Sequence, residues 1–133
     1  MKKDIEHKED IKAFVDAFYA RLLEAPLLRP IFLDVAGINL ADHLPIIYDF
    51  WDSVLFQAAT YRGDTLEKHL ELHMEHPLEK KHFDQWLQLF NETLNHLFTG
   101  KKADEAKQKA RSIATVMKIK IDDLERRRKE LNN

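Results

Sequence analysis

The chain has 133 residues, of which 44% are apolar and 33% are charged, and this balance suits one globular domain with a single core. No apolar stretch is long enough for a membrane helix or a signal peptide, so we expect one cytoplasmic domain over residues 1–133 that does not act on membranes. The formal net charge of −2 argues against nucleic acid as the main partner, and the lack of cysteine excludes disulfides, thiolate nucleophiles and cysteine-ligated metal sites.

Apolar residues recur at helical spacing along almost the whole chain, so the sequence predicts helices joined by short turns. The first helix ends before Pro26, and its apolar face is formed by Ile11, Phe14, Val15, Phe18, Leu22 and Leu23. The second helix begins near Asp42 with Pro45 in its first turn, and its apolar face is formed by Ile47, Phe50, Trp51, Val54 and Leu55. No segment shows the alternation typical of a strand.

The pattern is weakest in residues 57–77, where we expect only one short helix over residues 66–73. A strong apolar and aromatic stripe then occupies residues 78–98 and stops at Gly100. The last helix ends in the basic run 126–129, which suits the negative end of a helix dipole. The sequence therefore predicts four main helices and one short helix around one core.

Three polar side chains stand where helical spacing predicts burial. The hydroxyl of Tyr19, on the apolar face of the first helix, needs a hydrogen-bond partner, for which a backbone carbonyl is the ordinary choice. His43 extends the apolar stripe of the second helix at its solvent end, where capping or covering the helix end is the commoner role. Trp86 is central in the aromatic stripe, and its indole N–H needs an acceptor, which a phenol or a bound diatomic ligand could provide.

Four of the seven histidines, namely His69, His73, His76 and His82, lie close together in the sequence. His69 and His73 are one helical turn apart, which can place two imidazoles on one zinc ion, yet a zinc site needs further ligands. Leu70 excludes the His-Glu-x-x-His pattern of metalloproteases. A single imidazole on a leucine-rich helix suffices for a haem iron, but spacing alone leaves His69 one candidate of four. The ordinary explanation for His73, His76 and His82 is a solvated surface histidine.

Short segments spread in order along nearly the whole chain form one further pattern. They are Phe18-Tyr19, Pro30-Ile31-Phe32, His43-Leu44-Pro45, Phe50-Trp51, Tyr61-Arg62-Gly63, Leu66, His69-Leu70, His82-Phe83, Trp86-Leu87 and Leu89-Phe90. This combination resembles the group III truncated haemoglobins of bacteria. The resemblance implies an all-α, truncated globin-like fold, which is a two-over-two helical sandwich around haem b.

The resemblance also implies a role for the histidine of the short helix. His69 is then the proximal ligand of the haem iron, in the matching setting Leu66-x-x-His69-Leu70. The chain departs from the family pattern at residues 64–65, where Asp-Thr stands in place of the Asn-Pro that related chains often carry. His73 and His76 are rival ligands at neighbouring positions.

The remaining pocket residues implied by the resemblance fall into two groups. Tyr19, His43 and Trp86 form the distal polar group. Phe32 packs against the porphyrin, and the further wall is formed by Ile47, Phe50 and Phe83. Arg62 suits a haem propionate by its charge.

Three classes of function follow from these residues. The first is a haem protein that reversibly binds dioxygen or another small gas such as nitric oxide or carbon monoxide. The second is an enzyme on the same fold, with a reductase partner, that performs nitric oxide dioxygenation or a peroxidase-like reaction. The third is a cofactor-free helical protein that docks a partner through the basic final helix over residues 118–130. The sequence does not separate the first two, because they share every residue named.

Overall fold

A computed structural model of the chain describes residues 2–31, 40–57 and 78–132. These ranges hold four helices and no strand: α1 (Lys8–Glu24), α2 (Leu40–Phe56), α3 (Lys80–Leu97) and α4 (Lys101–Leu131). Helix α1 packs on α2 and on α3, and α4 packs on α3 and on α2. The pairs α1–α2 and α3–α4 therefore lie against each other, which confirms the predicted all-helical, two-over-two arrangement. The short helix predicted over residues 66–73 lies outside the described residues.

Helix α1 begins and ends where local chemistry favours it. The Asp10 carboxylate in its first turn accepts the backbone N–H groups of Glu6 and His7 at 2.9 and 3.1 Å. The helix stops at Glu24 because Ala25, which precedes a proline, takes an extended conformation. Its buried face comprises Ile11, Phe14, Val15, Phe18, Tyr19 and Leu22.

Helix α2 begins earlier than the sequence predicts. It starts at Leu40, two residues before Asp42, so that Pro45 lies at its sixth position and not in its first turn. Pro45 has no N–H to donate to the Ala41 carbonyl, and the helix tolerates that lost bond within its N-terminal half. The prediction that Pro45 lies in the first turn was therefore wrong. The start of the helix was predicted two residues too late, which is a common error for helix ends.

An N-terminal arm, residues 2–7, reaches the corner between α3 and α4. The Asp4 carboxylate accepts the backbone N–H groups of Lys102 and Ala103 at 2.9 Å each, so it caps the first turn of α4. Gly100, which precedes α4, has φ +140°, and a Cβ there would lie 2.6 Å from Asp4 Cγ. Glycine is therefore required at this close approach.

The core joins aromatic rings from three helices to small residues from the fourth. The four alanines of α4 that face α3 and the core are fully or almost fully buried, and they let the helices approach closely: Ala103, Ala106, Ala110 and Ala114. A second, smaller cluster lies toward the start of α3 and the middle of α4, and it comprises Ile31, Leu78, Phe83, Ala114, Met117 and Ile121.

Candidate distal haem pocket

Tyr19 and His43 meet between α1 and α2. The Tyr19 hydroxyl oxygen lies 2.8 Å from His43 Nε2, and the two rings meet edge to face with centroids 5.4 Å apart. Tyr19 is 8% exposed and His43 is half-buried. The tyrosine therefore bonds to an imidazole of another helix, that of His43, the fourth residue of α2.

Burial decides the protonation state of Tyr19. Burial raises the pKa of the Tyr19 phenol well above its usual range, so the hydroxyl keeps its proton throughout the physiological range. A phenol has one O–H to donate, whereas each imidazole nitrogen either donates or accepts. Tyr19 therefore donates to His43 when Nε2 is bare, and it accepts from His43 when Nε2 carries a proton. In the second arrangement the Tyr19 proton points elsewhere.

Phe18 connects this pair to Trp86 on α3. Its ring lies edge to face with the Tyr19 ring at 5.8 Å and with the Trp86 indole at 5.6 Å. Trp86 is half-buried, and its indole N–H has no hydrogen-bond acceptor among the residues that the structure describes. The three predicted distal side chains thus lie in one neighbourhood, with Tyr19 and His43 in direct contact and Trp86 one ring away.

Three of the residues predicted to form the apolar wall lie in the described part of the chain, and their role stays a prediction. Ile47 and Phe50 of α2 are half-buried and pack against the main core, and Phe83 of α3 is 9% exposed in the smaller cluster. Leu44 and Val54, on the same helix as Ile47, are also only half-buried although they are apolar. Helix α2 therefore keeps a partly uncovered apolar surface next to the Tyr19–His43 pair.

Comparisons with known proteins fit this geometry. The chain matches the bacterial-like globin family model over residues 3–122. It belongs to the bacterial-like globins. Group 3 truncated hemoglobin ctb of Campylobacter jejuni is 30% identical over 118 residues, which cover 86% of this chain and 91% of that protein.

A solved structure extends the match from sequence to fold. The crystal structure of group III truncated hemoglobin from Campylobacter jejuni superposes on this globin with a TM-score of 0.80 at 28% identity, covering 91% of this chain and 95% of that one. The resemblance to group III truncated haemoglobins is thereby confirmed, and family membership implies haem binding.

The residues of this globin fit a haem on chemical grounds. A porphyrin is large, flat and mostly apolar, and it needs a broad apolar slot with few polar groups. The half-buried residues of α2 offer such a surface, and a buried phenol, an imidazole and an indole are the polar groups beside it. This donor set suits a small polar ligand on the distal side better than it suits a metal ion, because phenol and indole N–H groups donate hydrogen bonds.

Several predicted residues of this globin lie outside the described residues. They are the proximal candidate and its rivals, together with the residues predicted to touch the porphyrin and its propionate: His69, His73, His76, Phe32, Arg62 and Leu66. Their roles stay predictions. Among the described helices, none is long and apolar enough to cross a membrane.

His82 departs from its predicted place on the surface. It is 7% exposed, and its Nδ1 accepts the backbone N–H of Glu79 at 2.9 Å, so it closes the first turn of α3. A histidine at the third helical position can reach back to the cap in this way, as glutamate and glutamine commonly do. The sequence pattern that indicates this contact is Glu79 three residues before His82, just before an apolar run.

Proposed function

We propose that this globin binds haem b, with His69 as the axial ligand of the iron, and that it reversibly binds dioxygen or another small gas. The proposal covers residues 1–133 as one cytoplasmic domain. The observation that carries it is the Tyr19–His43 hydrogen bond of 2.8 Å, set in an apolar wall beside Trp86. Such a pair of polar side chains in an apolar pocket is typical of a site that holds a small polar ligand.

The haem would be held by the apolar wall residues, by Arg62, which is implied by its charge, and by His69, which is implied by the family resemblance. The wall residues Phe32, Ile47, Phe50, Leu66 and Phe83 would contact the porphyrin, and Arg62 would pair with a propionate. The haem would supply an iron with one open position, at which a diatomic gas binds.

The distal side chains hold a ligand by donating hydrogen bonds. Tyr19 keeps its proton because burial raises the pKa of its phenol above the physiological range. When His43 presents Nε2–H to the Tyr19 oxygen, the Tyr19 O–H is released toward the pocket, and it becomes a donor to any negative charge that develops on a bound gas. His43 is therefore the residue that decides whether Tyr19 donates inward.

The aromatic wall keeps water from the same donors. Phe18 lies between Tyr19 and Trp86 and is 4% exposed, so the distal hydroxyl is covered on that side by a phenyl ring. Hydrogen bonds in such a dry site are stronger than in water, because no solvent competes for the donor. Slow release of the gas is the expected consequence.

The visible spectrum tests this proposal directly. Protein expressed with adequate haem should show a Soret band, and His69→Ala should lose most of it or shift it. His96→Ala is the matched control, because His96 is exposed on α3 and should leave the band unchanged. A wild-type protein without a Soret band would contradict haem binding and favour the cofactor-free alternative. A normal band in the His69 variant would move the ligand to another histidine such as His73 or His76.

A peroxidase-like activity is the second candidate function. It is favoured by the hydrogen bond that joins a half-buried imidazole to a buried phenol, since protons can pass from His43 Nε2 to the Tyr19 oxygen while Tyr19 passes its own proton inward. Reversible gas binding needs no such transfer. Oxidation of a peroxidase dye that is abolished by Tyr19→Phe, with haem content unchanged, would support it, whereas the same rate in wild type and variant would exclude this pair from the reaction. Nitric oxide turnover with a reductase tests the related dioxygenase reaction.

A further inference from the structure

Both tryptophans of the chain belong to one stack of rings. Trp86 of α3 lies almost parallel to Phe90, with centroids 5.8 Å apart and an interplanar angle of 18°. Phe90 lies almost parallel to Trp51 of α2, at 5.1 Å and 25°. The two indoles are therefore separated by a single phenyl ring that is nearly parallel to both of them.

The surroundings hold this stack dry and rigid. Phe90 is completely buried and Trp51 is 4% exposed. Phe18 packs edge-on against Trp86 and Phe90, and Phe14 packs edge-on against Phe90 and Trp51. Edge-on neighbours fix ring planes without joining the stack, so the stack links α3 to α2 through the core as one unit.

Indole is easily oxidised by one electron, whereas a phenyl ring is not, but a phenyl ring between two indoles improves the overlap through which an electron passes. A closely packed apolar interior also needs little rearrangement when charge moves between rings. Trp86 stands beside the distal polar group, and Trp51 stands at the far end of the stack.

We propose that the stack of Trp86, Phe90 and Trp51 carries one-electron oxidising equivalents from Trp86, beside the distal polar group, to Trp51 and holds them there. This inference rests on the proposed haem function, because the equivalents arise from a peroxide reacting in that pocket. Its effect is to move a damaging oxidant away from the distal side chains Tyr19 and His43.

The electrons balance as follows for hydrogen peroxide. Hydrogen peroxide takes two electrons, of which a bound haem would supply one and Trp86 the other. One oxygen atom would leave as water, and the second would leave as water only after one more electron and two protons arrive from outside the protein. One electron then passes from Trp51 through Phe90 to Trp86. Trp86 is restored, Trp51 becomes a radical cation, and no bond forms or breaks in this second step.

Freeze-quench electron paramagnetic resonance of the ferric haem protein mixed with hydrogen peroxide tests the transfer, with ring-deuterated tryptophan to identify the radical. Wild type should give a long-lived tryptophan radical on Trp51, whereas Trp51→Phe should leave only a short-lived radical on Trp86. Phe90→Leu should lose most of the long-lived signal. Phe14→Leu is the matched control, because Phe14 is equally buried and touches two rings of the stack, Phe90 and Trp51, edge-on, and this variant should keep the signal.

Three outcomes overturn the inference: no tryptophan radical in wild type, an equally long-lived signal in Trp51→Phe, or equal losses of the long-lived signal in Phe90→Leu and Phe14→Leu. Circular dichroism of each variant shows that it is folded before the comparison is made. A Soret band without any tryptophan radical would leave the haem proposal standing while the inference fails.

A photochemical measurement tests the same stack without using haem reactivity. The chain contains no cysteine, so Gln85→Cys, next to Trp86 in the sequence, gives one attachment point for a ruthenium photo-oxidant. After a laser flash with an external quencher, the labelled protein should show the absorbance of a tryptophan radical. The same protein carrying Phe14→Leu should show it too. In proteins that also carry Trp51→Phe or Phe90→Leu, we expect the slowly decaying part of this absorbance to be lost. If it survived in both variants, the inference would be overturned even if the protein bound no haem.

Discussion

The hydroxyl oxygen of Tyr19 on α1 lies 2.8 Å from Nε2 of His43 on α2, and the two atoms form one hydrogen bond. Neither side chain can therefore be replaced without changing what the other one donates. Two variants of this pair are expected to differ in sign, and a third tests their coupling.

Tyr19→Phe removes the buried donor. We expect dioxygen to leave about tenfold faster, since a hydrogen bond to a partly charged acceptor is worth roughly 1.5 kcal/mol and 1.4 kcal/mol is a factor of ten. Stopped-flow displacement of dioxygen by carbon monoxide measures the rate. An unchanged rate would remove Tyr19 from the distal role.

His43→Phe removes the competing partner of the Tyr19 proton. The phenol should then donate inward more of the time, so we expect dioxygen to leave more slowly, by up to about fivefold for roughly 1 kcal/mol. The exposed His96→Phe should have no effect on the same rate. An increase as large as that of Tyr19→Phe would show instead that His43 itself donates to the ligand.

The double variant Tyr19→Phe, His43→Phe separates the two roles. Because His43 acts through the Tyr19 proton, the double variant should release dioxygen at the rate of Tyr19→Phe alone, so the two effects are not additive. The same displacement experiment measures it. Additive effects would mean that each side chain contacts the ligand independently.

Asp4 makes stability depend on pH. Partial burial raises the pKa of this carboxyl, but the backbone N–H groups of Lys102, Ala103 and Ile5 outweigh it, so the net pKa lies below its usual value. The folded pKa is thus below that of the unfolded chain, the unfolded chain binds more protons in acid, and the stabilisation is full above about pH 4 and is lost as pH falls through the folded pKa. An amide has one acceptor oxygen where the Asp4 carboxylate uses two, so Asp4→Asn should lower the free energy of unfolding at pH 7 by about 1 kcal/mol and flatten its acid dependence. Urea titrations between neutral and acid pH would show this, and parallel curves for the two proteins would refute it.

Gly100→Ala should destabilise the same corner of the fold. A Cβ would lie 2.6 Å from Asp4 Cγ, and φ is +140°, which L residues rarely adopt, so we expect a loss of about 1–3 kcal/mol. The neighbouring Thr99→Ala is the control, since Thr99 is exposed and only its backbone N–H is used, by the Lys3 carbonyl at 2.9 Å. Thermal unfolding that shifts equally in both variants would contradict the role of Gly100.

Helical periodicity was sufficient to predict the four described helices, because each buries one continuous apolar face; Pro26 and Gly100 also mark the ends of α1 and α3. It failed at Pro45, since a helix with a strong apolar face can extend past a missing N–H. It placed Tyr19 and His43 on the inner faces of separate helices, but it could not predict their contact, which depends on how α1 and α2 are aligned along each other. The contact of Asp4 with the start of α4 left no local pattern, because the residues that it joins are 98 and 99 positions apart.

That long separation bears on how the protein should be produced. Asp4 finds its partners only after α4 has been synthesised, so the arm is among the last parts of the chain to settle, and a bulky affinity tag fused just ahead of Lys2 would compete with its docking. The other end of the described chain offers a better site, since Leu131 is 87% exposed and the last turn of α4 touches nothing that the arm needs. A C-terminal tag should therefore leave both the α3–α4 corner and the pocket that α3 helps to line undisturbed.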